Sequence, residues 1–138
     1  MRRLIIAIAF AIPLPVFAQD GGPAGIAFVQ APEQSSGMAF GATPAEAFAA
    51  ATAICMESGA YAEECIPTNW CQPAGWSVDA FVMHAAGNHW HEVVCGLASD
   101  EVAKAVGNAI CDTSVSPYIT ECLIVQLYDP QGNPQMEY

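Results

Sequence analysis

Six cysteines constrain this chain more than any other feature: Cys55, Cys65, Cys71, Cys95, Cys111 and Cys122. All lie downstream of an N-terminal stretch with the grammar of a secretory signal. Met1-Arg2-Arg3 supplies the positive start, Leu4 to Val16 the apolar run, and Val16-Phe17-Ala18 a small-residue exit. The run is shorter than the roughly 20 residues a spanning helix needs, and Pro13 and Pro15 would break a helix in lipid. Cleavage after Ala18 is therefore expected, with no retained anchor and a periplasmic or extracellular destination. An even number of cysteines delivered to an oxidising compartment implies three disulfides among fifteen pairings. Structural zinc sites draw on closely spaced C-x-x-C pairs, and none occurs here.

Export also changes the electrostatics. The chain carries three Lys and Arg against fourteen Asp and Glu, and two of those cations are Arg2 and Arg3. The mature protein keeps Lys104 alone, so its formal charge moves from -11 to -13, one cation less fourteen acids. Nucleic acids and anionic membranes need clustered Lys or Arg to displace counterions, so both are poor partners; no nucleic acid is expected to bind. The acids are scattered singly, which suits a solvated surface that keeps a small protein monomeric. Enzymes that clamp phosphate or carboxylate substrates rely on Arg or several Lys, and the mature chain lacks them.

Four segments are expected: the signal peptide at 1–18, a flexible mature N-terminus at 19–24, one disulfide-rich domain at 25–128, and a loose, turn-rich tail at 129–138. Ile26 to Gln30 and Gly37 to Gly41 read as strands around a loop containing Pro32. Thr43-Pro44-Ala45-Glu46 is a capping box that opens a helix with Ala47, Ala51, Ile54 and Cys55 on one face, ending near Gly59. Ser99-Asp100-Glu101 opens a second helix, whose apolar positions are Val102, Ala105, Val106, Ala109 and Ile110. Between the helices, Trp76 to His84 and His89 to Leu97 form a hairpin in which Gly87-Asn88 suits a two-residue turn. Cys122 to Tyr128 alternates as a last strand.

Both helices end in Ala-Ile-Cys, and each is followed by a further cysteine ten or eleven residues on. The resulting order, β-β-α-β-β-α-β, implies an α+β fold built as a duplicated βαβ unit. The expected form is ferredoxin-like, one antiparallel sheet with two helices on one face and an extra N-terminal strand. The repeated helix-end cysteines favour Cys55–Cys65 and Cys111–Cys122, leaving Cys71 with Cys95, though spacing alone leaves the other pairings open.

All three histidines fall within eight residues. With Gly87-Asn88 as the turn, His84 stands opposite His91, and His89 shares their face because strand side chains alternate. Three imidazoles at one tip would suit zinc or copper, with Met83 or Glu92 as further donors. The competing reading is a polar tip without metal, and one residue of loop length decides between them. Trp70, Trp76 and Trp90 bracket the same region, either as a binding surface or as caps on a thin core.

Gly25-Ile26-Ala27-Phe28, Ser36-Gly37-Met38-Ala39-Phe40 and the Ala-rich run Ala45 to Cys55 resemble a family of small exported bacterial Ala- and Cys-rich domains of unknown function. The stretch Asn69-Trp70-Cys71-Gln72-Pro73-Ala74-Gly75-Trp76-Ser77-Val78, with His89-Trp90-His91-Glu92, is similar to small alphaproteobacterial exported proteins sometimes labelled 5-aminolevulinic acid synthase. That label implies pyridoxal phosphate chemistry, which needs a Schiff-base lysine and a phosphate cradle. This chain offers Lys104 on a helix and no cradle.

No nucleophile elbow, phosphate loop or HExxH motif occurs. The expectation is therefore a small exported binding module without catalytic residues or resident cofactor, taking a protein or small-molecule partner. The alternative is a zinc or copper protein using His84, His89 and His91.

Overall fold

A computed structural model describes residues 24–136. The expected signal peptide and residues 19–23 lie outside the described residues. The chain forms strands β1 (Gly25–Ala31) and β2 (Ser35–Gly41), helix α1 (Pro44–Glu57), and strands β3 (Ile66–Cys71), β4 (Trp76–His84) and β5 (His89–Leu97). Helix α2 (Asp100–Ile110) and strand β6 (Ile119–Tyr128) follow.

The α+β class, the antiparallel pairing, the N-terminal strand and the disulfide staples are as expected. The single sheet is not. The strands divide into two three-stranded antiparallel sheets, ordered β2-β1-β3 and β5-β4-β6. The strand missed in the sequence, β3, is what completes the pattern. With it, the chain is a ββαβ unit used twice, and in each unit the first strand is central. Pro67 and Asn69 hid β3, because proline cannot donate to a ladder. Its position on a sheet edge, at a bulge opposite Phe28 and Val29, is where a strand tolerates proline.

Burial follows from this arrangement. All seven residues of β1 are buried, because both of its faces are covered. Ala27, Val29 and Ala31 pack on Ala47, Ala51 and Cys55 of α1. Ile26 and Phe28 face the second sheet, where Val93 and Cys95 of β5 and Ala74 of the β3–β4 connection meet them, with Tyr128 at the margin. Val78 and Leu127 turn the other way, toward Ala103 of α2. The helices therefore lie on opposite outer sides, in the layer order α1, first sheet, second sheet, α2. Each fully buried side chain of the size of Ile26, Val29, Val78 or Val82 contributes roughly 1.5–3 kcal/mol.

Both expected helix caps form. Thr43 Oγ1 accepts from the Glu46 N–H at 3.3 Å, while the Glu46 carboxylate accepts from the Ala42 N–H; Ser99 Oγ accepts from the Val102 N–H. The inward face of α2 differs from expectation. Ala103 and Gly107 are buried, while Val102 is 41% exposed. Small residues face the sheet because the helix lies close to it: a Cβ on Gly107 would stand 2.6 Å from Ile124 Cδ1.

The three disulfides are Cys55–Cys65, Cys71–Cys95 and Cys111–Cys122, the pairing favoured by the repeated helix ends. The first and third each tie a helix end to the third-strand region of its own unit. The second joins β3 to β5 and so connects the two sheets.

Of the tail expected to be loose, residues 129–136 fold back on β6. Asp129 Oδ1 accepts from the Gln131 and Asn133 N–H groups, and Pro134 bridges to Tyr128. The buried Gln126 side chain then binds the strand-like end, accepting from the Gln135 and Met136 N–H groups and donating to the Met136 carbonyl. An Asp-Pro-Gln-Gly-Asn-Pro run makes a turn, and a turn returns the chain to a strand edge with free hydrogen-bonding groups.

Candidate functional site

The β4–β5 connection decides where the histidines point. His84 N–H donates to the Asn88 carbonyl and Gly87 N–H to the His84 carbonyl, with Gly87 at φ 96°. This is a three-residue loop, Ala85-Ala86-Gly87, with glycine in the left-handed position, rather than the two-residue turn expected at Gly87-Asn88. The register then pairs Met83 with His89 and Phe81 with His91. An odd shift in register exchanges faces. His84 is therefore on the α2 side, where its ring lies 5.3 Å from that of Tyr118 and its Nδ1 accepts from the Ala86 N–H. The expected convergence of His84, His89 and His91 does not form. Among the described residues, no group of three His, Cys, Asp or Glu side chains is placed to hold a metal ion.

His89 and His91 do share a face, the one turned toward the first sheet. The Phe81 ring stands between them, 5.3 Å from His89 and 6.1 Å from His91. His91 Nδ1 lies 2.8 Å from Asp79 Oδ1, whose side chain is 15% exposed. A carboxylate only accepts, so Nδ1 carries the proton and Nε2 is left for another partner. The hydrogen bond to Asp79 raises the His91 pKa above the ordinary imidazole value. Partial burial opposes the rise, and the Asp79 charge adds to it.

The first sheet reaches this face through the β1–β2 hairpin. Gln30 turns both ends of its side-chain amide to one residue: Nε2 donates to the His91 carbonyl at 2.9 Å, and Oε1 accepts from the His91 N–H at 2.7 Å. Gln30 thus stands in for a neighbouring peptide group along the open edge of β5. At the tip, Glu33 adopts φ 64°, a left-handed conformation uncommon for a residue with a Cβ. That conformation brings Glu33 Oε1 to 3.2 Å from the His89 N and 3.9 Å from His89 Nδ1. Such outliers cluster at functional sites, where surrounding contacts hold them.

Between the two hairpins lies a cleft of about 320 Å³, walled by Gln30, Glu33, Ser36, Phe81, His89 and His91. A second cavity of about 230 Å³ adjoins it, sharing Gln30, Ser36 and His91 and reaching Asp79 and Tyr128. Sequence reasoning found His89 and His91 but missed Gln30, Glu33, Asp79 and Phe81. The available signal was the alternation in β4, where Asp79 and Phe81 occupy the face opposite Val78, Ala80 and Val82.

The tryptophans do not form one surface. Trp70 packs on the first core and lies against Gly25, where any Cβ would strike its ring. Trp76 borders the α2 core, and Trp90 donates from Nε1 to Glu92 Oε2 at 3.2 Å on the α2 side of the hairpin. Glu92, considered as an extra metal donor, is thus on the face away from His89 and His91, whereas Met83 is the cross-strand partner of His89.

The structure defines a class by its own features: a disulfide-stapled, four-layer α+β protein made from two ββαβ units. Compared with known families, curated proteins and solved structures, the chain matches none. Among the described residues, no helix is long and apolar enough to cross a membrane.

Proposed function

We propose that this protein is an exported binding module without catalytic activity, and that the cleft between its two hairpins is the ligand seat. The observation that carries this reading is the concentration of specialised features at that cleft. A left-handed Glu33, an oriented His91–Asp79 pair and the Phe81 ring all border a space within the roughly 300–1,000 Å³ range of small-molecule sites. The three disulfides support an oxidising destination and occupy all six thiols, so no cysteine is left to act as a nucleophile. Metal capture by His84, His89 and His91 together has no such support, because His84 lies on the opposite face.

The test is a fragment screen on the isotope-labelled, oxidised protein, read by amide and imidazole NMR shifts. Saturable shifts clustered on Gln30, Glu33, Phe81, His89 and His91 are expected. A screen whose hits fall elsewhere, or sustained turnover of a substrate by the oxidised protein, would overturn the reading.

A further inference from the structure

The charges around the cleft narrow its ligand. Glu33 from the β1–β2 turn and Asp79 from β4 face it or its adjoining cavity, with His89 and His91 from β5. β1 and β2 contribute the neutral side chains Gln30, Ser35 and Ser36, and β6 adds Tyr128 at the inner end. No Lys or Arg lines either cavity; Lys104, the one cation among the described residues, borders a different hollow beside Trp76.

The hydrogen-bond inventory points the same way. Gln30 directs Nε2 and Oε1 to the His91 backbone, and Glu33 commits Oε1 to the His89 N–H while its side chain stays 49% exposed at the cleft mouth. The remaining carboxylate capacity of Glu33 is therefore open to a donor entering from solvent. The Phe81 ring adds an apolar wall of the kind that attracts cations electrostatically. A bare divalent ion would need three or more converging ligand side chains, whereas an organic cation needs one carboxylate and an apolar wall.

We propose that the cleft binds a small organic cation, a primary ammonium group carried on a short apolar body, with the ammonium at Glu33 and the body against Phe81. This rests on the cleft being the ligand seat. The acidic field of the whole chain concentrates such cations near the surface, while Glu33 and Phe81 set the position. Acidification puts positive charge on His91, whose pKa the hydrogen bond to Asp79 raises, and that charge opposes the ammonium, so affinity rises with pH through the raised His91 value.

Three probes with one ring and different charge separate the outcomes: phenethylammonium, phenethyl alcohol and phenylacetate, titrated into the oxidised protein and followed by NMR. Phenethylammonium is expected to shift Phe81, His89 and His91 saturably, binding about tenfold more tightly at pH 8 than at pH 5.5. Glu33→Gln should weaken it about tenfold, while Glu121→Gln, the same charge change at an exposed position on β6, should not. Unchanged amide dispersion confirms that each variant is folded. Equal loss in both variants would reduce the effect to bulk charge and overturn the proposal. Tighter binding of the alcohol or of phenylacetate at the cleft would overturn the cation assignment yet leave the ligand seat standing. Zinc binding at His89 and Glu33 tighter than phenethylammonium would replace it with a metal. Silence to all three probes also overturns it, and the fragment screen then judges the seat separately.

Discussion

The two ββαβ units share a strand order and a helix-end disulfide, yet they bring helix and sheet together by different means. In the first unit the small residues are on the strand: Gly37 and Gly41 of β2 lie under α1, and a Cβ on Gly37 would strike the Ala51 carbonyl. In the second unit the small residue is on the helix, where Gly107 approaches the side chains of Ile124 and Val78. The same close approach thus rests against rigid backbone in one unit and against movable side chains in the other. The first unit has little freedom to relax and the second has some. The faces the units turn toward each other differ too: the first unit lends its β1–β2 hairpin, through Gln30 and Glu33, to the second unit's histidines.

The largest expected effect comes from cutting the covalent tie between the units. Cys71 and Cys95 are separated by 24 residues, against 10 and 11 for the disulfides inside each unit. Loop-closure entropy then assigns about 3.5 kcal/mol to the inter-unit bond and about 2.8 kcal/mol to either of the others. Replacing both Cys71 and Cys95 with Ser should lower the urea midpoint most of the three pairs. It should also separate the transitions of Trp70 and Trp76, which report on different cores. Coincident transitions at an unchanged midpoint would show that packing alone couples the units.

Next in size is the glycine contrast. Gly37→Ala should cost about 3 kcal/mol by denaturant unfolding, because a helix backbone carbonyl must move. Gly107→Ala should cost about 1 kcal/mol, since Ile124 can rotate and alanine favours the helix by about 1 kcal/mol. Equal costs would remove the distinction between the two interfaces.

The smallest effect is a pH dependence confined to the second unit. His91 has a raised pKa in the folded state, so protonated His91 is favoured by folding. Its stabilisation is complete below the ordinary value of about 6.5 and is lost as pH rises through the raised value. Asp79→Asn should bring the His91 pKa down and abolish that increment. Imidazole proton shifts followed across pH 5 to 9, with thermal midpoints at each end, measure both. An unaltered His91 titration in the variant would remove Asp79 as the cause.

The legible parts of the fold were local. Thr43, Pro44, Glu46, Ser99 and Asp100 announce helix starts within a few residues, because caps and charges act on the nearest amides. The helix-end cysteines pointed to two of the disulfides because each closes a short loop beside a repeated motif. The candidate site was half legible. His89 and His91 share a face in any regular strand, whereas His84 depends on whether the loop has two or three residues. Both loops accept glycine, so the residue types did not distinguish them.

By itself the sequence determined six half-cystines, a strongly acidic surface, two capped helices and the alternating strands between them. Those properties arise from composition and from interactions a few residues long. Tertiary structure alone decided that the strands form two sheets, that Pro67 lies on an edge, and that Gln30 and Glu33 meet His91 and His89 across 61 and 56 residues. The physical reason is that a strand's partner is chosen by burial on both of its faces at once. β1 buries one face on α1 and the other on the second sheet, and that pairing of surfaces depends on residues distant in the chain.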